Sequence, residues 1–164
     1  MAKMQLADVL KTAIKGEEDG YKFYDLLAAK ATNPEAKRKL ENLRNDEIAH
    51  KKVLYQLYEE HVGGEIGELP KKGLSALAEV FRKGHLDELK SEMEFINLAI
   101  EAELAATKYY NEHFKSSDNE AVKLIFERLA SEENTHYELL MAEREALSGN
   151  YFWFGYDESA PQEH

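Results

Sequence analysis

At 164 residues and 43% apolar content, the chain is long enough for one domain with a core of its own. Its net charge of −11, with no basic patch to neutralise phosphates, argues against a nucleic-acid partner, and the absence of cysteine removes disulfides, thiolate metal sites and cysteine nucleophiles together. No apolar stretch approaches membrane-spanning length and no basic amino terminus leads into an apolar run, so no membrane partner and a cytoplasmic site are expected.

In chain order, a first long helix is predicted from about Leu6 to Ala31, with Leu10, Ile14, Glu17, Tyr21, Tyr24 and Ala28 on one face. Gly16 and Gly20 interrupt it at roughly 1 kcal/mol each relative to Ala, which close helix contact would offset. Asn33-Pro34-Glu35 reads as a helix start, with Asn33 as cap and Pro34 at the first helical position, and so short a connection makes the first two helices antiparallel neighbours. The second helix runs to about Val62 and stops at Gly63-Gly64, where glycine can take the left-handed conformation. Its seam is Leu40, Leu43, Glu47, His50, Leu54 and Leu57, at alternating steps of three and four.

Pro70 and Gly73 mark a break, and Leu74 to Lys83 reads as a short helix inside a long crossover. A third long helix is predicted from near Leu86 or Asp87 to about Phe114, carrying Ile96, Ile100, Glu103 and Tyr110. Ser116-Ser117-Asp118-Asn119 makes a second cap-rich turn, and the fourth long helix follows from about Glu120 to Leu147, with Phe126, Leu129, Glu133, His136 and Leu140 in its seam. Two antiparallel hairpins joined by one long crossover form an all-α, ferritin-like four-helix bundle. This domain is taken to span 1–149. The remainder, 150–164, is an aromatic tail, Tyr151-Phe152-Trp153-Phe154-Gly155-Tyr156, expected to pack on the bundle or on a partner subunit and to end in disorder.

A carboxylate in an apolar seam must be neutralised, paired or bound to a cation, because burying it uncompensated costs at least several kcal/mol. Glu47-x-x-His50 places two polar groups one turn apart in such a seam. On the order of one such spacing is expected by chance in a chain this acidic. The second instance, Glu133-x-x-His136, lies 86 residues on, and an ungapped repeat at that offset also matches Ala13, Ile14, Glu17, Lys22, Tyr24, Asn33, Lys37, Glu41, Leu43 and Leu54 to identical residues. Each half therefore carries an upstream Glu, a Tyr seven residues later and a Glu-x-x-His.

A Glu from each of two helices and Glu-x-x-His from each of the other two is the inventory of a carboxylate-bridged dinuclear metal site. The candidate ligands are Glu17, Glu47, His50, Glu103, Glu133 and His136. Neighbouring acids are set aside because Glu18 matches Leu104 and Glu101 matches Lys15, while Asp46 and Glu132 match each other but lie one residue off the seam. Four carboxylates would balance two divalent cations, and oxygen donors with one imidazole per metal favour iron or manganese over structural zinc. Tyr24 and Tyr110, two turns beyond Glu17 and Glu103, are candidate catalytic groups hydrogen-bonded to ligand carboxylates. The unduplicated His61, His85, His113 and His164 are expected at the surface.

On Ala13-Ile14-x-x-Glu17 through Phe23-Tyr24, Glu47-x-x-His50, Ala99-Ile100-x-x-Glu103 through Tyr109-Tyr110, and Glu133-x-x-His136, the chain resembles the rubrerythrin-like branch of the ferritin-like superfamily over about residues 6–147. The resemblance implies two iron ions, with manganese or mixed occupancy as variants. Glu17 and Glu103 would be terminal ligands, Glu47 and Glu133 bridging, and His50 and His136 terminal. It implies a di-iron oxidoreductase acting on hydrogen peroxide or dioxygen, and a homodimer. Typical members append a rubredoxin domain with a four-cysteine iron site; a chain without cysteine needs an external donor, such as a rubredoxin-type protein. They also carry an extra carboxylate three residues from the third-helix ligand, where this chain has Ile100 and Ala106. A ferroxidase and a non-catalytic dinuclear metal protein are the alternatives.

Overall fold

The structure is a computed structural model that describes residues 3–83 and 91–154. It contains α1 (Lys3–Lys30), α2 (Pro34–His61), the short α3 (Ala76–Lys83), α4 (Glu92–Ser116) and α5 (Glu120–Ala146). The four long helices form the ferritin-like bundle. Helix α1 packs along α2 and α4 along α5, and the hairpins meet through α1 against α4 and α2 against α5, leaving α1 and α5 on one diagonal and α2 and α4 on the other.

The two hairpin turns are built alike. Asn33 is extended (ψ 119°) and its side chain accepts from the amides of Glu35 and Ala36; Asn119 is extended (ψ 118°) and accepts from Ala121 and Val122. Both caps satisfy amide donors that a helix start leaves open. Helix α2 ends where Gly63 takes φ 81° and donates its amide to Tyr58 O at 2.9 Å. A side chain there would be strained in the left-handed region.

The third long helix begins at Glu92, later than Leu86 or Asp87, because Ser91 is extended (ψ 151°) and caps it by accepting from the Glu94 amide. Ser91-x-x-Glu94 is a helix-start signature, and the intervening 84–90 lie outside the described residues. Tyr21 is half-buried, and Gly20 takes the inward position beside it. The glycines of α1 make room for side chains: a Cβ on Gly20 would stand 3.3 Å from Glu47 Oε2, and one on Gly16 would stand 2.6 Å from Leu74 Cδ1 on the crossover. His61 and His113, expected at the surface, are half-buried, while His85 and His164 lie outside the described residues.

Two apolar clusters fill the bundle, one around Phe23, Leu27, Leu40, Phe95, Ile96 and Leu140, the other around Leu10, Ile14, Leu54, Val122, Phe126 and Leu129. The start of the tail closes the end that holds the first cluster. Trp153 is 1% exposed, its carbonyl accepts from the Thr32 amide at 2.8 Å, and the amides of Trp153 and Phe154 donate to Glu92 Oε1 at 2.9 and 2.7 Å. Beneath it, buried Glu143 accepts from Lys39 Nζ at 2.5 Å, from Trp153 Nε1 at 3.2 Å and from the Tyr151 hydroxyl. Tail residues from 155 on, and the disorder expected there, lie outside the described residues.

Candidate metal centre

Between the two apolar clusters the seams of all four long helices turn polar. Glu17 comes from α1, Glu47 and His50 from α2, Glu103 from α4, and Glu133 and His136 from α5, none more than 5% exposed. The structure brings all six together. Donor atoms of Glu17, Glu47, His50 and Glu133 lie within 4.8 Å of one another, as do those of Glu47, Glu103, Glu133 and His136. Two four-residue groups that share Glu47 and Glu133 have the form of two adjacent ion sites with two common carboxylates.

The contacts repeat across the halves. Tyr24 on α1 donates to Glu103 on α4 at 2.5 Å, and Tyr110 on α4 donates to Glu17 on α1 at 2.6 Å. Each tyrosine thus serves the carboxylate of the opposite half, which sets α1 and α4 antiparallel. His50 Nδ1 faces Glu133 Oε1 at 2.6 Å and Glu17 Oε2 at 3.4 Å; His136 Nδ1 faces Glu47 Oε1 at 3.2 Å and Glu103 Oε1 at 3.4 Å.

The far nitrogens of the imidazoles are held by the two acids set aside for lying off the seam. His50 Nε2 pairs with Glu132 at 2.6 Å and His136 Nε2 with Asp46 at 2.9 Å. A proton on Nε2 shared with a carboxylate leaves the Nδ1 lone pair facing inward, the tautomer a metal ligand requires. The signal was present, since Asp46 and Glu132 are counterparts at the 86-residue offset. Their reach across to the opposite helix is invisible along a single one.

Four buried atoms here lack a well-aligned hydrogen bond despite the ion-pair approaches of the imidazoles: Glu17 Oε2, Glu47 Oε1, Glu103 Oε2 and His136 Nδ1. Orphaned polar atoms are costly, and these four, distributed over the two donor groups, fit cations that take oxygen and imidazole donors. The protonation pattern agrees with that fit. Burial, then the neighbouring carboxylates, push Glu47 and Glu133 well above the ordinary carboxyl value. Burial works the same way on Glu17 and Glu103, but hydrogen bonds from the adjoining glutamate, histidine and tyrosine outweigh it and hold both below that value. Burial would lower the histidines, yet their carboxylate partners raise His50 to about 11 and His136 to about 12. Without a metal, protons neutralise the crowded acids.

The two flanks of the site differ. Over the histidines, between α2 and α5, lies a cleft of about 250 Å³ lined by Asp46, Ala49, His50, Arg128, Glu132, Thr135 and His136. Over the carboxylates, between α1 and α4, lies a cavity of about 20 Å³ bordered by Glu17, Glu47, Glu103, Glu133 and Tyr24 and otherwise by apolar or small residues.

A family model described as Rubrerythrin matches residues 8–144. The solved structure of a hypothetical protein from Pyrococcus furiosus is similar at a TM-score of 0.74 and 28% identity, covering 88% of this chain and 91% of that one. No curated protein sequence matches.

Proposed function

The chain belongs to the rubrerythrin family, and on that premise we propose that it is a di-iron oxidoreductase, reducing hydrogen peroxide or dioxygen with electrons from an external donor. The observation that carries this reading is the pair of four-residue donor groups sharing Glu47 and Glu133, with their orphaned oxygens and nitrogen turned inward. Glu17 and His50 would hold one ion, Glu103 and His136 the other, and Glu47 and Glu133 both. When bound, two iron ions supply two electrons and a Lewis-acidic surface for the oxidant.

The protein's own groups do the rest. Tyr24 and Tyr110 fix the orientation of Glu103 and Glu17, each donating its hydroxyl proton to a carboxylate oxygen that lies 2.5 and 2.6 Å, respectively, from the phenol oxygen. Burial and the surrounding carboxylates hold both phenols well above their ordinary pKa, so each remains a donor. The apolar clusters cover the site along the bundle on either side, leaving the cleft over the histidines as an approach for solvent. Reduction of one hydrogen peroxide to two waters consumes two electrons and two protons. These 164 residues contain no cysteine and hence no thiolate iron centre, so the electrons come from outside them, for which a rubredoxin-type protein is suited.

A second reading is favoured by the cleft over the histidines, where Asp46 and Glu132 flank an opening to solvent. There ferrous iron would itself be the substrate, and the protein a ferroxidase. Steady-state assays separate the two. Peroxide consumption sustained by a recycling reductant, without added ferrous iron, is expected; turnover only with excess ferrous iron would replace the peroxidase by the ferroxidase.

A further inference from the structure

Resting on that reading, we propose that the crossover between the two hairpins is the size filter of the oxidant chamber, admitting dioxygen or hydrogen peroxide and excluding hydroperoxides that carry an alkyl or aryl group. The chamber is the 20 Å³ cavity on the α1/α4 flank, room for about one water-sized molecule. Four carboxylates of the metal centre border it and neither histidine does. Its walls on α1 and α4 include two pairs of small residues related by the repeat, Gly16 with Ala102 and Gly20 with Ala106, beside the larger Phe23 and Tyr24. The roof is the part of the chamber without a counterpart. It is formed by Leu74 and Leu77, from the segment that joins the halves, and α3 rests on α1 and α4 together.

The roof is seated closely along α1. A Cβ on Gly16 would meet Leu74 Cδ1 at 2.6 Å, so the absence of a side chain there is what lets Leu74 descend. A Cβ on Gly73 would stand 2.9 Å from Oδ2 of Asp19, whose other oxygen is paired with Lys15 at 2.7 Å; the loop backbone is thereby pressed onto a buried acid. Leu77 is 2% exposed and belongs to the apolar cluster around Phe23 and Phe95. An oxidant of two heavy atoms enters with a small displacement of the leucine tips. A bulky hydroperoxide requires Leu74 to leave its seat.

The test uses the iron-loaded full chain as wild type, as Leu74→Ala, which removes the half-buried roof residue, and as Gly16→Ala, which pushes the same residue up from below. Rates with hydrogen peroxide and with cumene hydroperoxide are compared, and crystals of each are exposed to xenon, which reports apolar space whatever the activity. Wild type is expected to prefer hydrogen peroxide and to leave the chamber free of xenon. Both variants should reduce that preference by about tenfold through a gain with cumene hydroperoxide, and Leu74→Ala should take up xenon beneath the crossover. An unchanged preference in both, or equal xenon occupancy in wild type and Leu74→Ala, overturns the filter. If no protein consumes any peroxide, the proposed reaction falls, and the xenon comparison decides the filter by itself.

Discussion

At the scale of single residues, the six donors divide into groups whose loss has different consequences. Glu47 and Glu133 belong to both donor groups, so Glu47→Ala or Glu133→Ala is expected to bind fewer than two ions per chain. Metal analysis after anaerobic reconstitution checks this, and full occupancy in either variant would contradict the assignment. Tyr24→Phe removes one hydrogen bond to Glu103 and no candidate ligand, so metal content should persist while the peroxide rate changes. Unchanged rates would reduce Tyr24 to a packing role. Glu132→Leu leaves His50 Nε2 without its carboxylate, and the affinity for the ion at His50 should fall by about 10–100-fold. A ferrous titration measures this directly.

The alternating spacing and the 86-residue repeat made the six donors and both tyrosines legible, because burial and duplication are written into a one-dimensional pattern. The roles of Asp46 and Glu132 were not, since an off-seam residue becomes meaningful only once the facing helix is in register. The partner swap of Tyr24 and Tyr110 depends likewise on the antiparallel approach of α1 and α4.

At the scale of elements, both hairpin turns follow from local chemistry, with Asn33 and Asn119 capping as their position before a helix predicts. The tail and the crossover do not belong to the repeat; the short crossover helix predicted over Leu74 to Lys83 is α3, but the repeat says nothing of what either segment packs against. The aromatic run after Gly149 announced packing somewhere; the buried acceptor it seeks, Glu143, matches Leu57 under the repeat and carries no mark in the sequence. Burial pushes Glu143 up, but Lys39, Tyr151 and Trp153 outweigh it and hold the carboxyl below its ordinary value of 4.5. A depressed folded-state pKa contributes stability that is present above the unfolded value and lost as pH falls through the folded one. Glu143→Gln should therefore be less stable than wild type at neutral pH, with the difference shrinking as pH falls below 4.5. Urea midpoints of both proteins across that range check the sign, and a difference independent of pH would contradict it.

At the scale of the whole molecule, the fold is two copies of one hairpin facing each other across a site to which each contributes half. Neither half holds a complete donor group: Glu17, Glu47 and His50 need Glu133, and Glu103, Glu133 and His136 need Glu47. The central claim is that this shared cluster takes up two metal ions. Because protons occupy the crowded acids and histidines in the absence of metal, uptake must expel them, and affinity should rise with pH. The most direct measurement is an anaerobic ferrous titration of the full chain in weak buffer, following bound iron and released protons together. Two ions per chain, taken up with proton release and lost in Glu47→Ala, is the expected result. Binding of one ion or none by the wild-type protein would make the duplicated carboxylates and histidines a hydrogen-bonded core, and the proposed chemistry would be withdrawn.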